Sequence, residues 1–268
     1  MMSAVNNKFL IFIVLSLVTI AFLFTGCGNT IKFDGVVTIA VDDTYPPMEF
    51  RDDKNNLIGF DVDMATLLCE EMGYPFEFKS VAWDGIFDGL KAGNYDVIIS
   101  SVSMDNDRIK SMDFTKPYLA NGQVIVVKAG DTSIKAKEDL AGKIVGVQVS
   151  TTSDTACTKQ LEKTQFELKR YDEIIQTFDA LTAGHIECIV VDYPVAIEYQ
   201  SKHPDKFTIT TAQLTNEPMS CCFTKGNPLR NEMQKALEKI KADGRLTELS
   251  KKWFDGVDYT SNINENLY

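Results

Sequence analysis

Short apolar runs alternate with amphipathic segments along the first part of the chain. Compact runs rich in β-branched and aromatic residues predict buried strands at residues 36–41, 76–78 and 97–101. Between them, apolar residues recur at three- and four-residue spacing, which predicts helices over residues 61–72 and 83–92. Strands that alternate with helices in this order indicate a largely parallel sheet covered by helices.

A second series of strands and helices follows, and the end of the chain returns to helix. Asp61 and Asp172 fit helix N-cap positions, and Ile175 is predicted to face inward in the helix after Asp172. The pattern predicts two α/β halves in tandem. Further strands are predicted at residues 123–128, 143–148, 166–170, 186–191 and 220–224, and helical segments at residues 135–140, 150–154, 172–184, 194–200, 229–242 and 246–254.

The amino terminus carries an apolar segment that is set apart from these halves. Lys8 precedes an almost uninterrupted apolar run over residues 9–24, which is the pattern of a signal-peptide core. The length of the run also approaches that of a membrane span. Plain secretion and an uncleaved membrane anchor therefore both stay open at this point.

The residues after this run resemble a bacterial lipobox. The sequence is Phe24-Thr25-Gly26-Cys27, with Phe24 in place of the usual aliphatic residue. The resemblance implies a signal peptide over residues 1–26, a lipidated Cys27 and a short tether over residues 27–32. Acyl chains on Cys27 would hold the protein on a membrane surface.

Charge and cysteine content narrow the possible functions. The net charge of −11 makes nucleic acid an unfavourable partner. No Cys-x-x-Cys spacing occurs and the chain has two histidines, so neither a zinc site nor another metal site is expected. Without Cys27, an odd number of cysteines remains, which favours buried free thiols, although a Cys157–Cys188 disulfide stays open. The remaining cysteines are Cys69, Cys157, Cys188, Cys221 and Cys222.

One strand ends in a cluster of polar residues. The apolar run Val97-Ile98-Ile99 leads directly into hydroxyl side chains and then to Arg108. Ligands of α/β domains bind at the carboxyl ends of the strands. An arginine can hold a carboxylate through two parallel hydrogen bonds, and hydroxyl groups can supply further donors. The stretch therefore predicts half of an anion site, with an ordinary capped loop as the alternative.

Four motifs follow one another along the chain in a set order. They are Asp42-x-Thr44-Tyr45-x-Pro47-x-Glu49-Phe50, Gly59-Phe60-Asp61-Val62-Asp63, Asp96-x-Ile98-x-Ser100-Ser101-x-Ser103-x(4)-Arg108 and Phe114-Thr115-x-Pro117-Tyr118. In this order and spacing they resemble the bacterial extracellular solute-binding protein family 3, the polar amino-acid substrate-binding proteins of ABC importers. The likeness covers about residues 36–254, and it adds to the α/β reading of the pattern.

The resemblance implies an α/β, two-lobed periplasmic-binding-protein fold of type II. Each lobe would hold a mostly parallel sheet flanked by helices, and two hinge crossings near residues 118–122 and 219–223 would join the lobes. Lobe 1 would comprise residues 33–121 plus 221–268, and lobe 2 would comprise residues 122–220. The helical end of the chain would then complete the first lobe.

The same resemblance assigns roles at the main-chain end of a bound amino acid. Arg108 matches the arginine that clamps the ligand α-carboxylate, with Ser103 and Thr152 as further donors. Ser101 would accept from the α-ammonium, and Asp192 matches its counter-charge. The alternative for Asp192 is an N-cap for the helix that follows it.

The ligand side chain would meet a second group of residues. Tyr45 matches an aromatic residue that lies against that side chain, and Trp83 would face Tyr45 across the pocket, with a place in the helix core as its alternative. Asp42 would reach the distal end, while Gln148 and Ser150 complete the predicted ligand-binding set. Two aromatic faces and a carboxylate favour a cation, so arginine, lysine or ornithine is expected.

The expected function is the capture of a free L-amino acid for a membrane permease of an ABC importer. The protein is expected to be a monomer outside the cytoplasm, without cofactor or catalytic residues. Glutamine or another polar amino acid is the alternative ligand. A dehydratase-like cleft enzyme on the same fold and a ligand-presenting sensor are further alternatives, because fold alone does not decide function.

Overall fold

The computed structural model of the protein describes residues 35–261 and residue 263, so the predicted signal peptide, tether and Cys27 lie outside it. Thirteen strands occur in the described part: β1 (Val37–Val41), β2 (Thr44–Tyr45), β3 (Glu49–Arg51), β4 (Leu57–Ile58), β5 (Phe76–Ser80), β6 (Val97–Ile98), β7 (Met112–Phe114), β8 (Gln123–Lys128), β9 (Ile144–Gln148), β10 (Glu167–Tyr171), β11 (Cys188–Asp192), β12 (Phe207–Gln213) and β13 (Cys222–Thr224). Eight α-helices accompany them: α1 (Phe60–Met72), α2 (Ile86–Lys91), α3 (Arg108–Ser111), α4 (Thr152–Leu161), α5 (Ile174–Ala183), α6 (Tyr193–Lys202), α7 (Leu229–Ala242) and α8 (Arg245–Trp253). None of these described helices is long and apolar enough to span a membrane.

Two five-stranded sheets form the body of the protein, which confirms the predicted α/β class. The first has the order β5-β1-β6-β13-β7 and the second the order β10-β9-β11-β8-β12. In the first, β1 is parallel to β5 and β6, whereas β13 is antiparallel to β6 and β7. The second sheet repeats this arrangement. Strand β9 is parallel to β10 and β11, whereas β8 is antiparallel to β11 and β12. A small third sheet, β2-β3-β4, extends from the end of β1.

Each large sheet has its own apolar core. The first core packs Ile86 and Leu90 of α2 against Ile98 of β6 and Cys222 of β13. The second core includes Val145 and Val147 of β9 with Cys157, Cys188 and Leu140. The cysteines from Cys69 onward are buried as free thiols, as the odd count favoured. Burial raises the pKa of the Cys188 thiol to about 12, so this thiol stays protonated near neutral pH.

The chain passes between the two large sheets twice, and the two passages pair with each other. One lies between β7 and β8 and the other between β12 and β13. Met219 donates its N–H to the Leu119 carbonyl at 3.0 Å, and Tyr118 donates to the Met219 carbonyl at 2.9 Å. A third bond joins the Glu217 N–H to the Asn121 carbonyl at 3.0 Å. The passages therefore form a short two-stranded connection beside the ends of both sheets.

The parallel strands direct polar residues to one edge of each sheet. Asp42 directly follows β1, and Ser100 follows β6 after one residue. In the second sheet, Gln148 is the last residue of β9 and Asp192 the last residue of β11. Because the carboxyl ends of parallel strands lie on one side, each sheet presents a polar edge.

Two predicted helix starts differ in the structure. Helix α1 begins at Phe60 after Gly59, so Asp61 lies inside the helix and is fully buried instead of capping it. Helix α5 has Glu173 rather than Asp172 at its N-cap. With this start, Ile174 faces the core and Ile175 is 45% exposed, so the predicted inward position of Ile175 is wrong.

Within the two large sheets, two strands were not predicted from the sequence. Strand β7 has three residues, and β12 has the polar sequence FTITTAQ at the outer edge of the second sheet. Neither shows the compact apolar run that marks a buried strand. Trp83, predicted as the first residue of a helix, precedes α2 in a turn and is 8% exposed.

Candidate ligand-binding site

A narrow cleft opens where the polar edges of the two sheets meet. Its atom-free space amounts to about 300 Å³, with the open mouth included. All of the predicted ligand-binding residues except Ser150 line it. The lining residues are Asp42, Tyr45, Glu49, Trp83, Ser100, Ser101, Ser103, Arg108, Gln148, Thr151, Thr152 and Asp192.

The Asp192 carboxylate at the end of β11 is held from both sides of the cleft. Its Oδ2 accepts a hydrogen bond from the Tyr45 hydroxyl at 2.5 Å. Its Oδ1 accepts from Asn121 Nδ2 at 2.5 Å and from Gln123 Nε2 at 2.6 Å. Although Asp192 precedes α6, its side chain makes no capping bond. Burial raises the pKa of Asp192, while these donors and the nearby Arg108 charge oppose the rise.

Arg108 lies at the start of the short helix α3, with its guanidinium against two aromatic rings. The guanidinium carbon lies 4.6 Å from the Phe87 ring centre and 5.6 Å from that of Trp83. Its Nη1 donates to the Ser103 carbonyl at 2.9 Å, and Nε lies 3.5 Å from Asp105 Oδ2. Burial lowers the pKa of Arg108, yet a guanidinium remains protonated in proteins. The group is therefore a fixed positive charge on the cleft wall.

Hydroxyl and amide groups complete this end of the cleft. Ser101 has a left-handed backbone with φ of 51°, and its N–H donates to Asp61 Oδ2 at 2.6 Å. The Ser103 hydroxyl accepts from Asn121 Nδ2 at 3.0 Å. Thr152 begins α4, and Thr151 caps that helix by accepting the Asp154 N–H at 3.2 Å. The helix therefore presents its amino terminus, a favourable position for an anion, to the cleft.

Asp42 is bound by neutral donors at another part of the cleft. Its Oδ1 accepts from the Thr44 hydroxyl at 2.7 Å, and its Oδ2 accepts from Gln148 Nε2 at 3.0 Å. Burial raises the pKa of Asp42, and both hydrogen bonds work against that rise. The bond from Gln148 crosses the cleft from the second sheet to the first.

Ser150 does not direct its side chain into the cleft, contrary to the prediction. Its hydroxyl donates to Asp84 Oδ1 at 3.0 Å, and its carbonyl accepts from Trp83 Nε1 at 3.1 Å. Both partners belong to the turn before α2. Ser150 therefore joins the two sides at the rim of the cleft instead of lining it.

Three lining residues were not predicted from the sequence as ligand-binding residues. Glu49 lies in β3 and is 1% exposed, Ser100 follows β6, and Thr151 is the N-cap of α4. Ser100 and Thr151 stand next to predicted site residues, so the polar clusters at the strand ends signal both. Glu49 has only the weak signal of a carboxylate between two apolar residues, Met48 and Phe50.

Comparison with known proteins identifies the class of protein that this fold and cleft define. The model of the bacterial extracellular solute-binding proteins, family 3, matches residues 37–256, and the chain belongs to this family. The predicted two-lobed fold and family resemblance are confirmed. The protein is a substrate-binding protein of the amino-acid ABC transporter class and acts outside the cytoplasm.

Individual relatives and structures show how far the similarity extends. The L-cystine-binding protein TcyJ of Escherichia coli K12 is 31% identical over 237 residues, which cover 88% of each chain. An ancestral arginine-binding protein bound to arginine has a TM-score of 0.79 and 35% identity, covering 83% of this chain and 100% of its own. The ancestral amino acid-binding protein AncCDT-1, a precursor of cyclohexadienyl dehydratase, has a TM-score of 0.76 and 32% identity, with coverages of 82% and 96%.

We predict that Arg108→Ala abolishes binding of every amino acid that the wild type binds. Removal of one partner of a buried charge pair costs about 2–5 kcal/mol, which is at least about a thirtyfold loss of affinity. Titration calorimetry measures the loss, and Arg245→Ala is the matched control because Arg245 pairs with Glu71 and Asp243 on the surface of α8. Unchanged affinity in Arg108→Ala would contradict the assigned role of the guanidinium.

Proposed function

We propose that the protein captures one free cationic L-amino acid, arginine, lysine or ornithine, and delivers it to the permease of an ABC importer. The observation that carries the proposal is the charge of the cleft lining. Two buried aspartates, Asp42 and Asp192, and one arginine, Arg108, line the same cleft. Glu49 lines it as well, and burial raises the pKa of this carboxyl, which favours its neutral form. A cationic amino acid carries the complementary set of two positive groups and one negative group.

The α-carboxylate and α-ammonium groups take the Arg108 end of the cleft in this proposal. Arg108 and the amino terminus of α4 supply the positive field for the carboxylate. Ser103 and Thr152 add hydroxyl groups beside it. Asp192 supplies the counter-charge for the ammonium, and Ser101 offers an acceptor next to it. Three neutral donors already orient Asp192.

The ligand side chain extends toward Asp42 between Tyr45 and Trp83. An aromatic face attracts a nearby cation by about 0.5–2 kcal/mol. The carboxylate of Asp42 adds a charge-assisted hydrogen bond. Gln148 holds that carboxylate and contributes an amide oxygen of its own. The similarity to an ancestral protein bound to arginine supports the same choice.

Cystine is the second candidate ligand, because a relative with 31% identity is an L-cystine-binding protein. The far end of cystine carries a second carboxylate together with a second ammonium. Arg108 is the only cationic side chain among the described residues that line the cleft. A second carboxylate near Asp42 would therefore lack a counter-charge, which makes a cationic amino acid the better match.

Binding without chemical conversion is part of the proposal, although one similar structure is the precursor of a dehydratase. A dehydratase needs an acid that delivers its proton to the substrate. In the proposed binding mode Asp42 and Asp192 are both ionised and each pairs with a positive group of the ligand. The third lining carboxylate, Glu49, is engaged with Ser100 and Asp61 and not with the ligand. Arg108 with Asp192 thus completes a clamp for the amino acid and leaves it unreacted.

We also propose residue ranges for the two lobes, a hinge between them and a lipid anchor at the amino terminus. Lobe 1 comprises residues 33–121 plus 221–268, and lobe 2 comprises residues 122–220. The paired passages at residues 118–122 and 219–223 act as the hinge on which the lobes close around a ligand. Cys27 carries lipid at the end of the tether, so a monomeric protein stays at the membrane surface beside its permease.

We predict that calorimetry against the twenty amino acids, ornithine and cystine gives the tightest binding for a cationic amino acid. A net positive side chain adds one ion pair with Asp42 that a neutral side chain lacks. Tightest binding of cystine or glutamine would overturn the cationic assignment and leave amino-acid binding intact. No heat with any of these compounds would overturn the proposed function itself.

We predict that Asp42→Asn weakens cationic ligands about five- to thirtyfold and changes the affinity for glutamine by less than about threefold. A charge-assisted hydrogen bond is worth about 1–2 kcal/mol more than a neutral one. Asp43→Asn is the matched control, because the Asp43 carboxylate bonds to Arg51 and Ser80 outside the cleft. Equal losses for cationic and neutral ligands in Asp42→Asn would contradict a distal role.

We predict that Cys27→Ser moves the protein from the membrane fraction to the soluble fraction of its native host. Without the thiol no acyl chain can be attached, and once the signal peptide is removed the short tether over residues 27–32 carries one large apolar residue, which is too little to hold the protein on a bilayer. Cell fractionation with immunoblotting measures the shift, and Asn29→Ser controls for substitution in the same segment. Retention of Cys27→Ser at the membrane at the wild-type level would show that lipid is not the anchor.

A further inference from the structure

Two carboxylates lie together directly beneath the ligand cleft. Glu49 of β3 lines the cleft and is 1% exposed, and Asp61 of α1 is fully buried behind it. The Ser101 hydroxyl lies between them, 3.5 Å from Glu49 Oε2 and 3.3 Å from Asp61 Oδ2, and the charge of Asp61 raises the pKa of Glu49. Within the described part of the chain, neither carboxylate takes part in a salt bridge.

Among the described residues, the groups that contact the pair carry no positive charge. Asp42, Tyr45, Tyr118 and Cys221 are the titratable groups that face it, from β1, β2 and the two passages between the sheets. The Tyr118 hydroxyl donates to Asp61 Oδ2 at 2.9 Å, and the Ser100 hydroxyl donates to Glu49 Oε1 at 2.7 Å. Two adjacent buried carboxylates without a cation cannot both be ionised, because burial and mutual repulsion each favour the neutral form.

The unpartnered oxygen of Asp61 indicates the position of a shared proton. Asp61 Oδ2 already accepts from Ser101 and Tyr118, whereas Asp61 Oδ1 is buried and lacks a donor among the described side chains and backbone groups. A buried acceptor without a donor costs about 1–3 kcal/mol. A proton on Glu49 that points to Asp61 Oδ1 removes this cost. The donors on Asp61 Oδ2 also stabilise Asp61 as the ionised member.

We propose that Glu49 and Asp61 share one proton, carried by Glu49, and that Glu49 is a positioning residue of the cleft. In this pair neutral Glu49 donates to Asp61, and ionised Asp61 holds the left-handed backbone of Ser101. Burial and the Asp61 charge both raise the pKa of Glu49, consistent with this assignment. The shared proton also explains how a carboxylate can line the cleft without adding a charge to it.

The proton on Glu49 affects which ligand charge fits the cleft, and this step rests on the proposed function. With Glu49 neutral, the ionised groups of the lining are Asp42, Asp192 and Arg108, which match a cationic amino acid one to one. An ionised Glu49 would add an unmatched negative charge next to the ligand. The proton on Glu49 thus sets the net charge that the cleft presents.

Infrared spectroscopy of the ligand-free protein at pH 8 tests the assignment directly. We expect a protonated carboxylic-acid band in the wild type that disappears in Glu49→Gln and persists in Glu77→Gln, an exposed control on β5. At this pH Glu217, whose pKa burial raises to about 7, is mostly ionised and contributes little. A wild-type spectrum without the band, or a band that survives in Glu49→Gln, would overturn the proposal.

The pH dependence of unfolding gives a second readout that a merely structural role would not change. Because the folded protein holds a proton on Glu49 that the unfolded chain loses near its ordinary pKa of 4.5, rising pH favours unfolding. Between pH 6.5 and 8 the unfolding constant of the wild type should rise relative to that of Glu49→Gln by about tenfold per pH unit. Identical slopes in the two proteins would contradict the shared proton.

Ligand affinity separates the positioning role from the proposed function. A glutamine amide mimics the neutral acid, so Glu49→Gln should bind within about threefold of the wild type, whereas Glu49→Ala should lose at least about tenfold because Ser100 and Asp61 lose their partner. A large loss in Glu49→Gln would show that the charge of Glu49 is needed. The infrared and unfolding results use no ligand, so they stand even if the proposed ligand class fails.

Discussion

The Asp192 carboxylate is the group on which the arrangement of the cleft depends. It stands at the end of a buried strand of the second sheet and is bound by Tyr45 from the small third sheet and by Asn121 from one passage. A buried carboxylate needs such partners, because isolated burial of a charge is very unfavourable. The donors orient Asp192 but carry no charge. Arg108 is near enough to act on the pKa of Asp192 but is not its ion-pair partner among the described residues, so the proposed ligand ammonium would be the direct counter-charge, at the point where both sheets meet.

Much of the site was predictable because it follows from strand ends. Ser101 and Asp192 stand at the ends of apolar runs, and parallel strands bring their carboxyl ends to one edge. The role of Arg108, which follows in a polar loop, came instead from the resemblance to the family. The rule for strand ends needs no knowledge of the loops between strands. It fails where a side chain has two polar environments within reach, as Ser150 does. The Asp84 carboxylate, far away in sequence, decides the direction of the Ser150 hydroxyl.

The residues that sequence reasoning missed are those whose role arises from packing. Aspartate is favoured at helix N-caps, and this local preference alone places Asp61 at the N-cap of the helix. The N-cap is Gly59, two residues earlier, because Phe60 packs in the core beside Tyr118 and Phe254. This places Asp61 on the buried face, against the Ser101 backbone. Glu49 comes to the same point from a short strand whose position depends on the small third sheet. No local pattern contains the contact between them.

The crowding of carboxylates gives the cleft its selectivity only if one proton is correctly placed. Asp42, Glu49 and Asp61 each raise the pKa of a neighbour, since like charges at short range disfavour ionisation. In the state of lowest free energy, the proton lies on the carboxylate that is buried and has a charged acceptor beside it. Glu49 meets both conditions. Asp42 and Asp192 instead face the cleft with neutral donors, so each can keep its charge for a ligand. In the proposed binding mode, the distribution of protons, rather than the number of acidic residues, determines which ligand charge the cleft accepts.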